Sequence, residues 1–229
     1  MKTVFITGAN RGLGLELVKV FLKNSWKVFA ACRNKNNFPA EISGSQNLTV
    51  LTLDIINQDS VNAALREFGV TPVDVLINNA GIFDSTSVDD DKVASTVEAA
   101  GKVFETNSVA PRLLAERLVP NLRAGTGKMI LTISSHMGTH SKMDEYHAQH
   151  WVYSASKAAV NYAMSAFGLL HPDLKSVLIH PGWMKTDMGS SSAPLEPEFS
   201  AQKIFILVST PKDMPNRKLV DLEGKEMPL

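Results

Sequence analysis

The chain has 229 residues, a length that one α/β domain can fill at ~100–200 residues per domain. Its 23 basic and 23 acidic side chains cancel to a formal net charge of +0, which excludes a bulk electrostatic pull towards nucleic acid or an anionic membrane. A single cysteine, Cys32, excludes an intrachain disulfide framework, and a composition that is 44% hydrophobic and 20% charged supplies an ordinary core.

The apolar run Val4-Phe5-Ile6-Thr7 ends at Gly8 and reads as a strand buried on both faces, too short for a signal peptide. Leu13, Leu17, Val20 and Phe21 share one face of a helix. Val28–Ala31 is a second strand. Residues 34–47, broken by Pro39 and Gly44, leave room for a very short helix only. Leu48–Leu53 is a third strand, and Asp59-Ser60 is expected to cap a helix that Gly69 stops. Val73–Ile77 follows, then an acidic stretch in which Asp89-Asp90-Asp91 reads as a solvated helix start. A helical region over 93–123 should be kinked or divided by Pro111. Met129–Ile133 is the fifth strand, Ser154–Leu170 a helix ended by Pro172, and Ser176–His180 the sixth strand. A last helix near 199–208 and a strand near Leu219 complete the order. Ala158 to Pro172, the longest uncharged stretch, falls short of the ~20 apolar residues of a membrane span. The alternation predicts one doubly wound α/β domain, a Rossmann-type parallel sheet over 1–229. A cytoplasmic protein with no nucleic-acid or membrane partner is expected.

Gly8-Ala9-Asn10-Arg11-Gly12-Leu13-Gly14 lies at the first strand-to-helix turn. Glycine there lets the backbone approach a pyrophosphate, and the helix start offers N–H groups and a partial positive charge. A tight turn without a ligand is the plainer alternative. The spacing departs from G-x-G-x-x-G. With Thr7 it resembles the T-G-x-x-x-G-x-G loop of the short-chain dehydrogenase/reductase family. At the end of the second strand, Cys32 stands where an acid would select NAD, and Arg33 follows. Arg11 and Arg33 suit a 2′-phosphate, since guanidinium pairs with phosphate in bidentate fashion, so NADP(H) is favoured over NAD(H). A solvated surface charge is the ordinary fate of a lone arginine.

Tyr153 and Lys157 are four apart at the start of a helix and can share a cleft. A lysine ammonium beside a phenol lowers its pKa and makes it usable for acid/base work on an alcohol or carbonyl. Either Ser134 or Ser135, at the end of the fifth strand, can bond a substrate oxygen. Pro111 removes the donor to the Asn107 carbonyl, and the local disturbance can aim that backbone at a water. A surface pair, two loop serines and a surface asparagine are the bland alternatives for each feature taken singly.

Taken together, Asn78-Asn79-Ala80-Gly81, Asn107, Ser135, Tyr153 with Lys157, and Pro181-Gly182 again resemble the short-chain dehydrogenase/reductase family. Cys32-Arg33-Asn34, His180 to Gly189 and the tail Asp221 to Leu229 resemble its carbonyl-reductase-like branch, which includes C-factor and sniffer-type proteins. The resemblance implies Tyr153 as proton donor or acceptor and Ser135 orienting the carbonyl. It implies Lys157 lowering the tyrosine pKa and binding the ribose, and Asn107 holding a relay water. Asp54 and Ile55 would meet the adenine end, and Asn79, Ala80 and Gly81 would line the cofactor. Pro181, Gly182, Met184 and Thr186 would stand on the nicotinamide side. It also implies a homodimer or homotetramer, paired through the 154–170 helix and the helical region near 100–123. The expected activity is hydride transfer between NADP and a small-molecule carbonyl or alcohol. A non-enzymatic NAD(P)-binding regulator is the rival, but a pure binder has no use for all four catalytic groups. The His-rich connection between Ser135 and Tyr153 is longer than in many family members. Substrate loops are expected at 136–152 and 187–200. No metal site is expected, since the histidine spacing matches no zinc pattern.

Overall fold

A computed structural model of the chain describes residues 1–83 and 96–229. The acidic run Asp89-Asp90-Asp91 lies outside them. The chain runs through β1 (Thr3–Thr7), α1 (Gly12–Lys23), β2 (Lys27–Cys32), the single turn α2 (Ala40–Ser43), β3 (Leu48–Thr52), α3 (Gln58–Phe68) and β4 (Val75–Asn78). Then come α4 (Val97–Phe104), a π-helical turn over Glu105–Val109, α5 (Ala110–Arg117), α6 (Val119–Ala124) and β5 (Met129–Ile133). The remainder is α7 (Glu145–Gln149), α8 (Trp151–Leu170), β6 (Lys175–Ile179), α9 (Pro197–Ser209), β7 (Leu219–Val220) and β8 (Glu226–Met227).

Among the described residues the strands form one eight-stranded sheet in the order β3-β2-β1-β4-β5-β6-β7-β8. All pairings are parallel except the terminal β7–β8 hairpin. Each strand buries alternate residues in opposite layers. Val4 and Ile6 pack with Leu17 and Phe21 of α1 and Ile204 of α9. Phe5 packs on the other face with Phe68 of α3, Leu114 of α5, Leu122 of α6 and Phe167 of α8. Each such side chain contributes about 1.5–3 kcal/mol by leaving water. The order reverses between β1 and β4, and a crevice opens there beyond the carboxyl ends of the strands, the place where ligands bind in open α/β sheets. No helix among the described residues is long and apolar enough to cross a membrane.

Four local expectations are corrected. The cap of α3 is Asn57, whose Oδ1 accepts from the Ser60 N–H at 2.9 Å, while the Ser60 hydroxyl accepts from the Asp54 N–H. The helical region near 100–123 is not one kinked helix. It breaks at the π-helical turn, and Pro111 and Pro120 sit in the first turns of α5 and α6, where a missing N–H costs little. The 136–152 connection is built of two 3₁₀ turns and α7 rather than open loop. The tail forms β8, turned back on β7 at Gly224, whose φ of 77° is in the left-handed region.

At the opposite end of the sheet, buried Asp74 joins three segments. Its carboxylate accepts from the Thr3 N–H at 2.7 Å, the Thr126 N–H and hydroxyl at 2.8 and 2.7 Å, and the Gly127 N–H at 2.9 Å. Burial alone would raise its pKa, yet the four hydrogen bonds hold it below the usual carboxylate range. A depressed folded pKa stabilises the fold above the unfolded value of about 3.9, and that stability is lost as pH falls through the folded pKa. Asp74→Ala leaves several buried donors unpaired and should cost about 2–4 kcal/mol at pH 7. Urea melts of both proteins at pH 7 and pH 3 should show the gap narrowing in acid.

Candidate functional site

A cleft of about 1010 Å³ follows the crevice at the carboxyl ends of β1 and β4. Its floor is the turn from β1 to α1. Gly8 has φ 64°, which a side chain would strain, and a Cβ on Gly14 would stand 2.1 Å from the Gly8 carbonyl oxygen. Only glycine lets α1 begin this close to the strand. Asn79 clamps the turn, its Nδ2 donating to the carbonyls of Thr7 at 2.9 Å and Gly8 at 3.1 Å. The Thr7 hydroxyl in turn accepts from the Asn79 and Ala80 N–H groups, each at 3.0 Å. Helix α1 has no side-chain cap and no acid in its first turn. Its N-terminal N–H groups and partial positive charge are therefore suited to an anion such as a pyrophosphate.

The opposite wall carries the candidate catalytic groups. Ser134 and Ser135 were equivalent in the sequence, and their surroundings separate them. The Ser134 hydroxyl donates to Asn161 Oδ1 at 2.5 Å inside the protein. The Ser135 hydroxyl accepts from the Met137 N–H at 3.1 Å and bonds the Tyr153 hydroxyl on the cleft wall. Tyr153 and Lys157 lie one turn apart on α8, both buried. Lys157 Nζ donates to the Ile133 carbonyl at 2.9 Å and lies 5.5 Å from the centroid of the Tyr153 ring.

The electrostatics differ from the expected lysine effect. Burial pushes the Tyr153 phenol well above its ordinary range, with the Ser135 hydrogen bond opposing in part. Burial also pulls Lys157 down to about 8. The lysine does not depress the tyrosine, because its Nζ is committed to a carbonyl and sits over the ring rather than at the hydroxyl.

Asn107 stands one layer behind the wall. It occupies the π-helical turn, 2% exposed, where Pro111 cannot supply the i+4 donor. Its Oδ1 accepts from the Ile82 N–H at 2.9 Å, and its Nδ2 donates to the Ile82 carbonyl at 2.9 Å and the Ser156 hydroxyl at 3.0 Å. The side chain thus fastens the segment after β4 to α8, a role the sequence did not announce.

Gly8, Asn10, Arg11, Gly12, Leu13, Gly14, Arg33, Asp54, Ile55, Asn79, Ala80, Gly81, Pro181, Gly182, Met184 and Thr186 all stand on the cleft wall. Arg33 is exposed at the rim, and buried Cys32 has its thiol pKa raised by desolvation. Arg11 pairs with Asp187 across the cleft, an exposed ion pair that joins the glycine loop to the loop after β6. That loop is drawn together by the bridge between Met184 and Leu195 and by the Trp183 indole N–H donating to the Gly189 carbonyl at 2.6 Å. Phe83 was missed by the sequence reading. Its ring lies 4.7 Å from that of Tyr153, and no motif marks it. Of the histidines between Ser135 and Tyr153, His136 and His147 line the cleft, and His147 Nδ1 pairs with Asp144. Among the described residues no group of three or more His, Cys, Asp or Glu could hold a metal ion.

The profile of the short chain dehydrogenases matches residues 2–196. The C-signal protein of Myxococcus xanthus is 30% identical over 159 residues, which cover 69% of this chain and 93% of that protein. The carbonyl reductase Sniffer of D. melanogaster aligns in structure with a TM-score of 0.88 at 30% identity, covering 100% of both chains. The NADPH-bound carbonyl reductase from chicken fatty liver aligns with a TM-score of 0.89 at 28% identity, covering 100% of this chain and 94% of its own.

Proposed function

This chain belongs to the short-chain dehydrogenase family, and from that membership we propose that it is an NADP-dependent carbonyl reductase with Tyr153 as its general acid. One observation carries the reading. A buried Ser135–Tyr153 hydrogen bond, with Lys157 one turn along α8, faces the uncapped start of α1 across a single cleft. The residues fit a dinucleotide: glycine backbone and helix N-terminus for the pyrophosphate, Arg33 at the rim for a 2′-phosphate, Asp54 and Ile55 beyond β3 for the adenine. Bound there, the nicotinamide supplies the hydride that adds to the carbonyl carbon.

The protein supplies orientation and a proton. Ser135 and Tyr153 offer two hydroxyls to one carbonyl oxygen, and Tyr153 gives its proton as that oxygen gains negative charge. A phenol pushed above its ordinary range keeps its proton at neutral pH, which suits donation in the reductive direction. Lys157 places a cation in the same wall, suited to the ribose. Asn107 holds the segment of Gly81 and Ile82 in place behind the nicotinamide side. The segments 136–152 and 187–200 are assigned to substrate contact. The exposed apolar side chains Val109, Leu113, Tyr162 and Leu169 on the π-helical turn, α5 and α8 are assigned to pairing of copies into a homodimer or homotetramer. A non-enzymatic binder would have no use for the buried Ser135, Tyr153 and Lys157 set.

Loss of NADPH absorbance on addition of an aldehyde, ketone and quinone panel tests the activity. Arg33→Ala tests the cofactor. A charge-assisted hydrogen bond contributes ~1.5–3 kcal/mol, so NADPH should bind roughly ten-fold or more weakly, with NADH little changed. Cys32→Asp should push the preference further towards NADH by repelling phosphate and accepting ribose hydroxyls. Fluorescence titration of both cofactors measures this. Tighter binding of NADH than NADPH by the unmutated protein would overturn the assignment of the pocket.

A further inference from the structure

The substrate end of the cleft carries a pair of side chains that proton donation does not use. Asp144 caps α7 through Oδ1, which accepts the His147 backbone N–H at 2.9 Å and also bonds the His147 ring Nδ1 at 2.5 Å. The carboxylate can only accept, so Nδ1 carries the proton and a neutral His147 presents Nε2 as an acceptor. His147 is 6% exposed, and its Nε2 is buried with no hydrogen-bond partner among the described residues. Buried polar atoms are ordinarily paired, so an orphan acceptor in a wall that forms a cleft marks a place for a donor. The location is close to the reacting groups. The His147 ring lies 5.3 Å from that of His136, which directly follows Ser135 in the chain.

The chemistry narrows the donor. A second carbonyl or a carboxylate would set lone pair against lone pair. An ammonium would have to shed its hydration against a buried wall. A neutral hydroxyl donates one hydrogen bond at low desolvation cost. We propose that His147, oriented by Asp144, selects carbonyl substrates that carry a hydroxyl group, its Nε2 accepting the substrate O–H. This rests on the carbonyl-reductase reading of the same cleft. His147 acts in selection and Asp144 in positioning; neither takes part in hydride or proton transfer.

The test uses benzaldehyde and its 2-, 3- and 4-hydroxy derivatives with NADPH. The unmutated protein should favour at least one hydroxy derivative over benzaldehyde by about ten-fold in kcat/KM, chiefly through KM, as expected for one hydrogen bond to a buried partner. His147→Phe keeps a ring of similar size and should bring that ratio close to one. His147→Gln places an amide near the position of Nε2 and should restore much of it. Asp144→Asn still caps α7 but loosens the imidazole, and should lower the ratio several-fold in a protein of unchanged circular dichroism. An active enzyme whose ratio is the same in His147→Phe, or that shows no hydroxyl preference at all, overturns the proposal and leaves the reductase reading standing. No turnover of any carbonyl by the unmutated protein overturns both.

Discussion

Tyr153→Phe is expected to lower kcat for carbonyl reduction by about 10²–10⁴-fold while the NADPH dissociation constant stays within a few-fold of the unmutated value. Only the hydroxyl is removed. The ring keeps its place 4.7 Å from Phe83, and Ser135 keeps its bond to the Met137 N–H. The protein should therefore fold and bind as before, and the loss should fall on the chemical step. Single-turnover kinetics under saturating NADPH, alongside fluorescence titration, separate the two. Activity within a few-fold of the unmutated enzyme would remove Tyr153 from its role as proton donor.

Lys157→Met should impair both NADPH binding and turnover, and its effect on stability should depend on pH. Burial pulls the Lys157 pKa from 10.5 to about 8. Holding that ammonium in the fold at pH 7 costs on the order of 3 kcal/mol at most. Methionine removes the cost but leaves the Ile133 carbonyl without its donor, a penalty of about 1–3 kcal/mol. The two terms nearly cancel at pH 7, so the slope against pH is the decisive observable. Between about 8 and 10.5 the unfolded chain binds the lysine proton and the folded one does not, so the unmutated protein gains stability with rising pH. The variant lacks this gain, and Tyr153, present in both, cancels from the comparison. Denaturant melts at pH 7, 8.5 and 10 should show the unmutated protein gaining on Lys157→Met at each step. Parallel profiles would mean that Lys157 is not desolvated, and unchanged NADPH affinity would count against its place at the ribose.

Much of this protein is written locally in its chain. The apolar runs at Val4–Thr7 and Met129–Ile133 are strands because continuous apolar sequence suits a sheet covered on both faces, and β5 has those same bounds. The glycine loop is legible because a left-handed turn and a close backbone approach tolerate few other residues. Tyr153 and Lys157 are legible because a four-residue spacing means one helix face. The break at Asn107 could be located from Pro111, since a missing N–H acts on the residue four before it.

What the sequence left open depends on partners remote in the chain. Ser134 and Ser135 are adjacent and alike. Asn161 takes the hydroxyl of one and Tyr153 that of the other, and both partners arrive with α8. The Asn107 side chain was assigned to the vicinity of a water, whereas packing of α4 and α8 against the end of β4 commits it to Ile82 and Ser156. The sign of the Tyr153 shift was misread for a related reason. Spacing tells that a lysine is near, but only burial and the aim of its Nζ at the Ile133 carbonyl decide that desolvation outweighs charge. Local periodicity and turn chemistry are set by neighbouring residues, so the sequence by itself determined the strands, the phosphate loop and the Tyr153–Lys157 face. Hydrogen-bond partners and pKa values are set by whatever the fold brings alongside, so only the tertiary structure decided which serine faces the cleft, what Asn107 holds, and that His147 presents an unpaired nitrogen there.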